Sequence, residues 1–150
     1  MKLAEALSLR ADLQKRLSQL NYRLQNNAKV QEGEQPAEDP AVLLSELDTI
    51  SDALEALVSR INLTNAATRA EGKTLTELLS RRDALQQRCR ILREFLDSAS
   101  ATVSRGMRSE LRILPTVDVR ALQKQSDALS KELRELDVTI QGVNWTTELL

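Results

Sequence analysis

The sequence predicts an all-α protein: an antiparallel, up-down-up-down bundle of four long helices with coiled-coil-like seams. Three observations lead there. Over 75–103, Leu75, Leu78, Arg82, Leu85, Cys89, Leu92, Leu96, Ala99 and Val103 step by 3 and 4 in alternation, with Arg82 as the interruption. That is the rhythm of a helix that buries one seam against other helices. Aromatics are 2% of the 150 residues while apolar residues are 41%, so the core is built from Leu, Ile, Val and Ala. The stretches between periodic segments are short, which suits antiparallel neighbours within a single domain, 1–150.

The first helix is predicted from about Lys2 to about Asn27. Its stripe is Ala6, Leu9, Leu13, Leu17, Leu20 and Leu24, a period near 3.6 that implies a helix straighter than a strict coiled coil. Asn26-Asn27 suits its end, because Asn tolerates a left-handed cap. Residues 28–39 form a loop, broken by Gly33 and Pro36. Asp39 then caps the second helix, with Pro40 in the first turn.

The second helix is predicted to end near Leu63, with Leu47, Ile50, Leu54, Leu57 and Ile61 on its seam. Thr64 to Lys73 reads as a polar turn. Thr74-Leu75-Thr76-Glu77 has the pattern of a capping box for the third helix. That helix would reach Ser104, roughly 46 Å at ~1.5 Å per residue. A short extended segment at 107–117, either a strand or a plain crossover, follows, because Pro115 disfavours helix at Leu114. Thr116 or Asp118 caps the fourth helix, whose stripe runs Val119, Leu122, Ser126, Leu129, Leu133, Leu136, Ile140 and Val143. This topology sets the 28–39 loop and 105–117 at one end, and both termini with the 64–73 turn at the other.

Composition narrows the chemistry. There is no His, which removes the commonest neutral-pH general base and transition-metal ligand. The single cysteine, Cys89, excludes an intrachain disulfide and a thiolate zinc cluster, and its seam position reads as a buried structural thiol. No phosphate-cradling glycine motif is present. A net charge of −1, without basic residues interleaved with aromatics, gives no nucleic-acid signature. No apolar run has the length of a signal peptide or membrane span, so the expected location is cytoplasmic. The expectation is a non-enzymatic protein with no cofactor and no metal.

Charge is segregated along the chain. Between Val30 and Ser59 there is no Lys or Arg, but eight acids. The stretch 73–112 holds nine basic residues against five acids. An acidic second helix and an Arg-rich third helix are expected to be neighbours, within one chain or between protomers. Arg82 lies on the apolar stripe; it either snorkels at a bundle edge, fixes register through a buried pair, or contacts an anion.

Two clusters are candidate ligand sites. Glu32 and Glu34 in the acidic loop, facing Arg105, Arg108 and Arg112, could hold a hard cation; the structural reading is a solvated loop paired with those arginines. Asn62, Thr64, Asn65 and Thr68, with Trp145 nearby, could form a hydrogen-bonding site; the structural reading is helix capping and turn formation and an end plug, or for Trp145 an interface anchor.

Several strings are similar to a known family. Asn27-Ala28-Lys29-Val30-Gln31-Glu32-Gly33-Glu34-Gln35-Pro36-Ala37-Glu38-Asp39-Pro40 resembles the signature loop of small, uncharacterised bacterial helical proteins often labelled septicolysin. Arg60 to Thr68, Pro115 to Val119 and Asn144 to Leu149 are similar to its other strings, and Leu63 stands where a basic residue is expected. The resemblance implies a helical fold and pore-forming, membrane-acting behaviour, and brings no catalytic or binding residues. The residues themselves favour a homo-oligomeric scaffold that associates through its long helices, with other protein partners unspecified. A membrane-active protein and a ligand- or metal-binding bundle are the alternatives.

Overall fold

The computed structural model describes residues 1–101 and 113–150. It is all-α, with four helices among the described residues: α1 (Leu3–Asn26), α2 (Pro40–Ala67), α3 (Leu75–Ser100) and α4 (Val119–Thr146). A two-residue hairpin, β1 (Arg69–Ala70) and β2 (Lys73–Thr74), joins α2 to α3. The predicted end of the third helix, most of the 107–117 segment, and Arg105, Arg108 and Arg112 lie outside the described residues. The described remainder, 113–117, contains no strand.

The chain forms two compact units. The first comprises Met1–Leu75 and Gly142–Leu150. Its helices α1 and α2 pack antiparallel: Arg23 near the end of α1 meets Glu46 near the start of α2, while Met1 before α1 and Thr64 near the end of α2 bond the adjacent residues Leu149 and Leu150. The buried residues Ala6, Leu13, Leu20 and Asn27 are spaced by sevens, and so are Leu43, Ile50, Leu57 and Thr64. The predicted 3.6 period of α1 is therefore corrected. Leu9 is 40% exposed, and a heptad carries the burial. Each such Leu or Ile contributes ~1.5–3 kcal/mol of burial energy.

The caps follow local chemistry. The Lys2 N–H donates to Glu5 Oε2 at 2.7 Å, opening α1. Asp39 Oδ1 accepts from the Ala41 N–H at 2.9 Å, as the Asp-Pro pair predicts. Asn27 closes α1 with φ −109°, so no left-handed cap forms. Its amide works instead: Nδ2 donates to the Arg23 carbonyl at 2.8 Å, and Oδ1 accepts from the Glu38 N–H at 2.9 Å.

Helix α2 runs four residues beyond the predicted Leu63, so Asn62, Thr64 and Asn65 are helical rather than in a turn. Thr64 satisfies its hydroxyl inside the helix by donating to the Arg60 carbonyl at 2.8 Å. The hairpin pairs Arg69 with Thr74 and Ala70 with Lys73. Its turn, Glu71-Gly72, has φ of 53° and 79°, the positive pair that matches strand twist. The Leu75 N–H donates to the Thr68 carbonyl at 2.8 Å and closes this connection.

The C-terminal tail is stitched to one end of the first helix pair, where α1 starts and α2 finishes. The Leu3 N–H donates to the Thr147 carbonyl and the Leu149 N–H to the Met1 carbonyl, both at 2.9 Å. The Leu150 N–H donates to Thr64 Oγ1 at 3.0 Å, and Arg60 Nε to the Leu150 carbonyl at 2.6 Å. Leu149 is buried. The expected meeting of the termini with the end of the second helix is thus present within this unit.

The second unit, Thr76–Gln141, contains most of α3 and α4. They run antiparallel: Arg81 pairs with Glu132, while Leu92 and Phe95 share a groove with Leu122. Leu78, Leu85, Cys89, Leu96, Ser126, Leu136 and Ile140 are buried, and all lie on the two predicted seams. Asp118 caps α4, its Oδ1 accepting from the Ala121 N–H at 3.0 Å.

Candidate functional site

The α3 seam leaves a second stripe on its flank. Ala84, Arg88, Ile91 and Phe95 step 4, 3 and 4, so they share one helix face. Ile91 is 53% exposed and Phe95 45% exposed, side by side on that face. Together with Leu92, Leu122 and Gln125 they line an open groove of about 450 Å³ between α3 and α4, with Arg88 at its polar end. Ile91 and Phe95 thus form one continuous apolar strip rather than isolated exposed side chains. The groove has no nucleophile or acid–base pair among these lining residues. What it can do is take an apolar side chain and an anionic partner one helical turn away.

Sequence reasoning focused on the main seam and missed this second stripe. The signal was present as the 4-3-4 spacing and as the placement of Phe95, one of three aromatics, off the seam.

Arg82 occupies its expected seam position but is not a buried ion. Its side chain is 28% exposed, and its guanidinium reaches out to the adjacent Asp83 at 2.8 Å. This is the snorkelling arrangement.

The acidic loop does not converge on a cation. Glu32 and Glu34 are exposed, and Gly33 takes φ +88° between them. Among the described residues no group of three or more His, Cys, Asp or Glu could hold a metal ion. The loop acid that meets an arginine is Glu38. Arg23 grips it with Nη2 at 2.6 Å and Nε at 3.1 Å, and reaches Glu46 with Nη1 at 3.3 Å. That hydrogen bonding holds the Glu38 carboxyl below the usual glutamate range and raises the Arg23 guanidinium further.

The polar cluster at the end of α2 also fails to form a pocket. Asn62 is exposed, Asn65 half-buried and Trp145 62% exposed, so Trp145 does not plug the end. Only Thr64 is engaged, by the main chain of Leu150. The residue that acts here is Glu148. It accepts from the Lys2 ammonium at 2.6 Å and the Met1 ammonium at 3.1 Å, and both interactions lower its pKa, Lys2 the more.

One α2 acid, Glu46, finds partners on α1. Glu46 lies 4.0 Å from Arg16 as well as 3.3 Å from Arg23. On α3, Arg81 pairs with Glu132 of α4, Arg82 with Asp83 and Arg90 with Glu94.

Comparison with known proteins adds family membership. The sequence matches a family of unknown function, DUF6847, over residues 10–149. The chain belongs to this family. A crystal structure of a functionally unknown conserved protein from Corynebacterium diphtheriae is 45% identical, with a TM-score of 0.95. The match covers 100% of this chain and 99% of that one. No curated protein matches the sequence. Neither match carries the septicolysin label that the sequence strings suggested.

Proposed function

We propose that this protein is a non-enzymatic, cytoplasmic interaction protein that associates with copies of itself through its helices. The groove beside Ile91 and Phe95 carries this reading. Such a surface costs solvation free energy while exposed and is stabilised when a partner covers it. The sequence supports the non-enzymatic part, since no His is available as a base. A net charge of −1 supports a protein partner over nucleic acid. Sedimentation equilibrium across a wide concentration range tests the reading. A mass that rises with concentration toward a whole multiple of the chain is expected; a monomer mass throughout would sink it.

The same exposed strip favours a second reading, the membrane action that the septicolysin resemblance implies. Among the described residues no helix is long and apolar enough to cross a membrane, so this action would be interfacial or require refolding. Dye-loaded anionic liposomes separate the two readings. Intact vesicles at mildly acidic and neutral pH favour self-association, and prompt leakage favours membrane action.

A further inference from the structure

The outward face of α2 matches the groove of α3 in chemistry and in spacing. Asp48, Asp52 and Glu55 lie on one face of α2 and are all exposed. None of the three has an ion pair among the described residues, whereas Glu46, round the helix from them, is engaged by α1. Leu44, one turn before Asp48, is 51% exposed. On α3, Arg88 is exposed and also lacks an ion pair among the described residues, and Ile91 and Phe95 follow one and two turns later.

We infer that the groove receives α2 of a second copy of this chain, laid antiparallel to α3. This register places Leu44 on Ile91 and Phe95 and sets Asp48 against Arg88. Seven residues further along α2, and seven back along α3, it sets Glu55 against Arg81, because the two acids and the two arginines have the same spacing. Seven residues are two helical turns, ~10.5 Å, so both charge pairs align in a single pose. Arg81 is half-exposed and pairs with Glu132, so Glu55 joins an existing ion pair rather than an isolated cation. The apolar contact supplies affinity, and the acidic and basic faces select partner and register. This inference rests on the self-association reading and names its surface.

Charge-reversal variants test it by sedimentation equilibrium, with circular dichroism confirming unchanged helicity. The variants are Arg88→Glu, Asp48→Arg and the chain carrying both. Each single reversal is expected to weaken association by about tenfold or more, and the double reversal to recover most of the loss. Raising the salt concentration should weaken the wild-type association and narrow these differences. The inference is overturned if the wild-type chain associates but either single reversal leaves the constant unchanged, or if the double variant does not recover. Self-association would then stand on another surface. A wild-type chain that stays monomeric overturns both claims.

Discussion

Asn27 holds the 28–39 loop with both ends of its amide, one on the Arg23 carbonyl and one on the Glu38 N–H. Its side chain is among the few buried polar ones, so nothing else replaces those bonds on truncation. Asn27→Ala should cost about 1–2 kcal/mol in a urea titration. It should also free Glu38 from its fixed position beside Arg23. Glu148 works through charge. Its folded-state pKa is depressed, so its stabilisation is complete above the ordinary glutamate value of 4.5 and is lost as pH falls through the lowered value. Glu148→Gln should therefore melt below wild type at neutral pH, and the gap should close as pH is lowered. A constant gap across thermal melts from neutral to acid would contradict the assignment. The sequence identified Asn27 only as a helix terminator. Its bond to a backbone group eleven residues later is a tertiary event that no local pattern encodes.

At the level of elements, heptads account for what was legible. All four helices lie where the apolar spacing places them, and their described ends shift by only a few residues, because steps of 3 and 4 over many turns have no strand alternative. The Asp39-Pro40 and Asp118 starts were readable for the same reason: a cap needs only local chemistry. The hairpin was not readable. Its strands have two residues each, too few to show alternation, and its Thr, Asn and Lys neighbours resemble an ordinary turn. The groove side chains were visible as a second stripe, but only the fold shows that Leu122 and Gln125 complete a wall opposite them. Gly72 tests the hairpin. A Cβ there meets nothing within 4 Å, so the cost of Gly72→Ala is conformational alone, arising from φ +79°. It should destabilise by about 1 kcal/mol, and Gly72→Asn by less, because Asn accepts positive φ more readily. Equal thermal melts for wild type and Gly72→Ala would show that the turn is not held in this conformation.

Across the whole molecule, the first unit is assembled from two separated parts of the chain. The tail contributes a buried Leu149 and main-chain bonds to Met1, Leu3 and Thr64. Leu149→Ala should cost about 2–3 kcal/mol by loss of burial and cavity formation. Hydrogen exchange should show the loss of protection concentrated in the first turn of α1 and the last turn of α2. Uniform loss across α3 as well would mean that the tail stabilises more than its own unit. The segregated charge of the sequence marked α2 as acidic and α3 as Arg-rich, and led to the expectation that the two are neighbours. Within the first unit, Arg16 and Arg23 of α1 take up Glu46, and the outer acids Asp48, Asp52 and Glu55 have no ion pair among the described residues.

The stitched tail also orders events during synthesis. Residues 1–75 leave the ribosome well before 142–150, and at ~5–20 residues per second the delay is roughly 3–13 s. During that interval the α1–α2 hairpin has its heptad partners but not its final seal. Leu3, Thr64 and the Arg60 guanidinium wait in water for the residues that will cover them. The first unit is therefore not complete until residues 142–150 have been made. A product that stops short of residue 142 keeps that end of the helix pair open, with the groove for Leu149 unfilled, where quality-control proteases can recognise it.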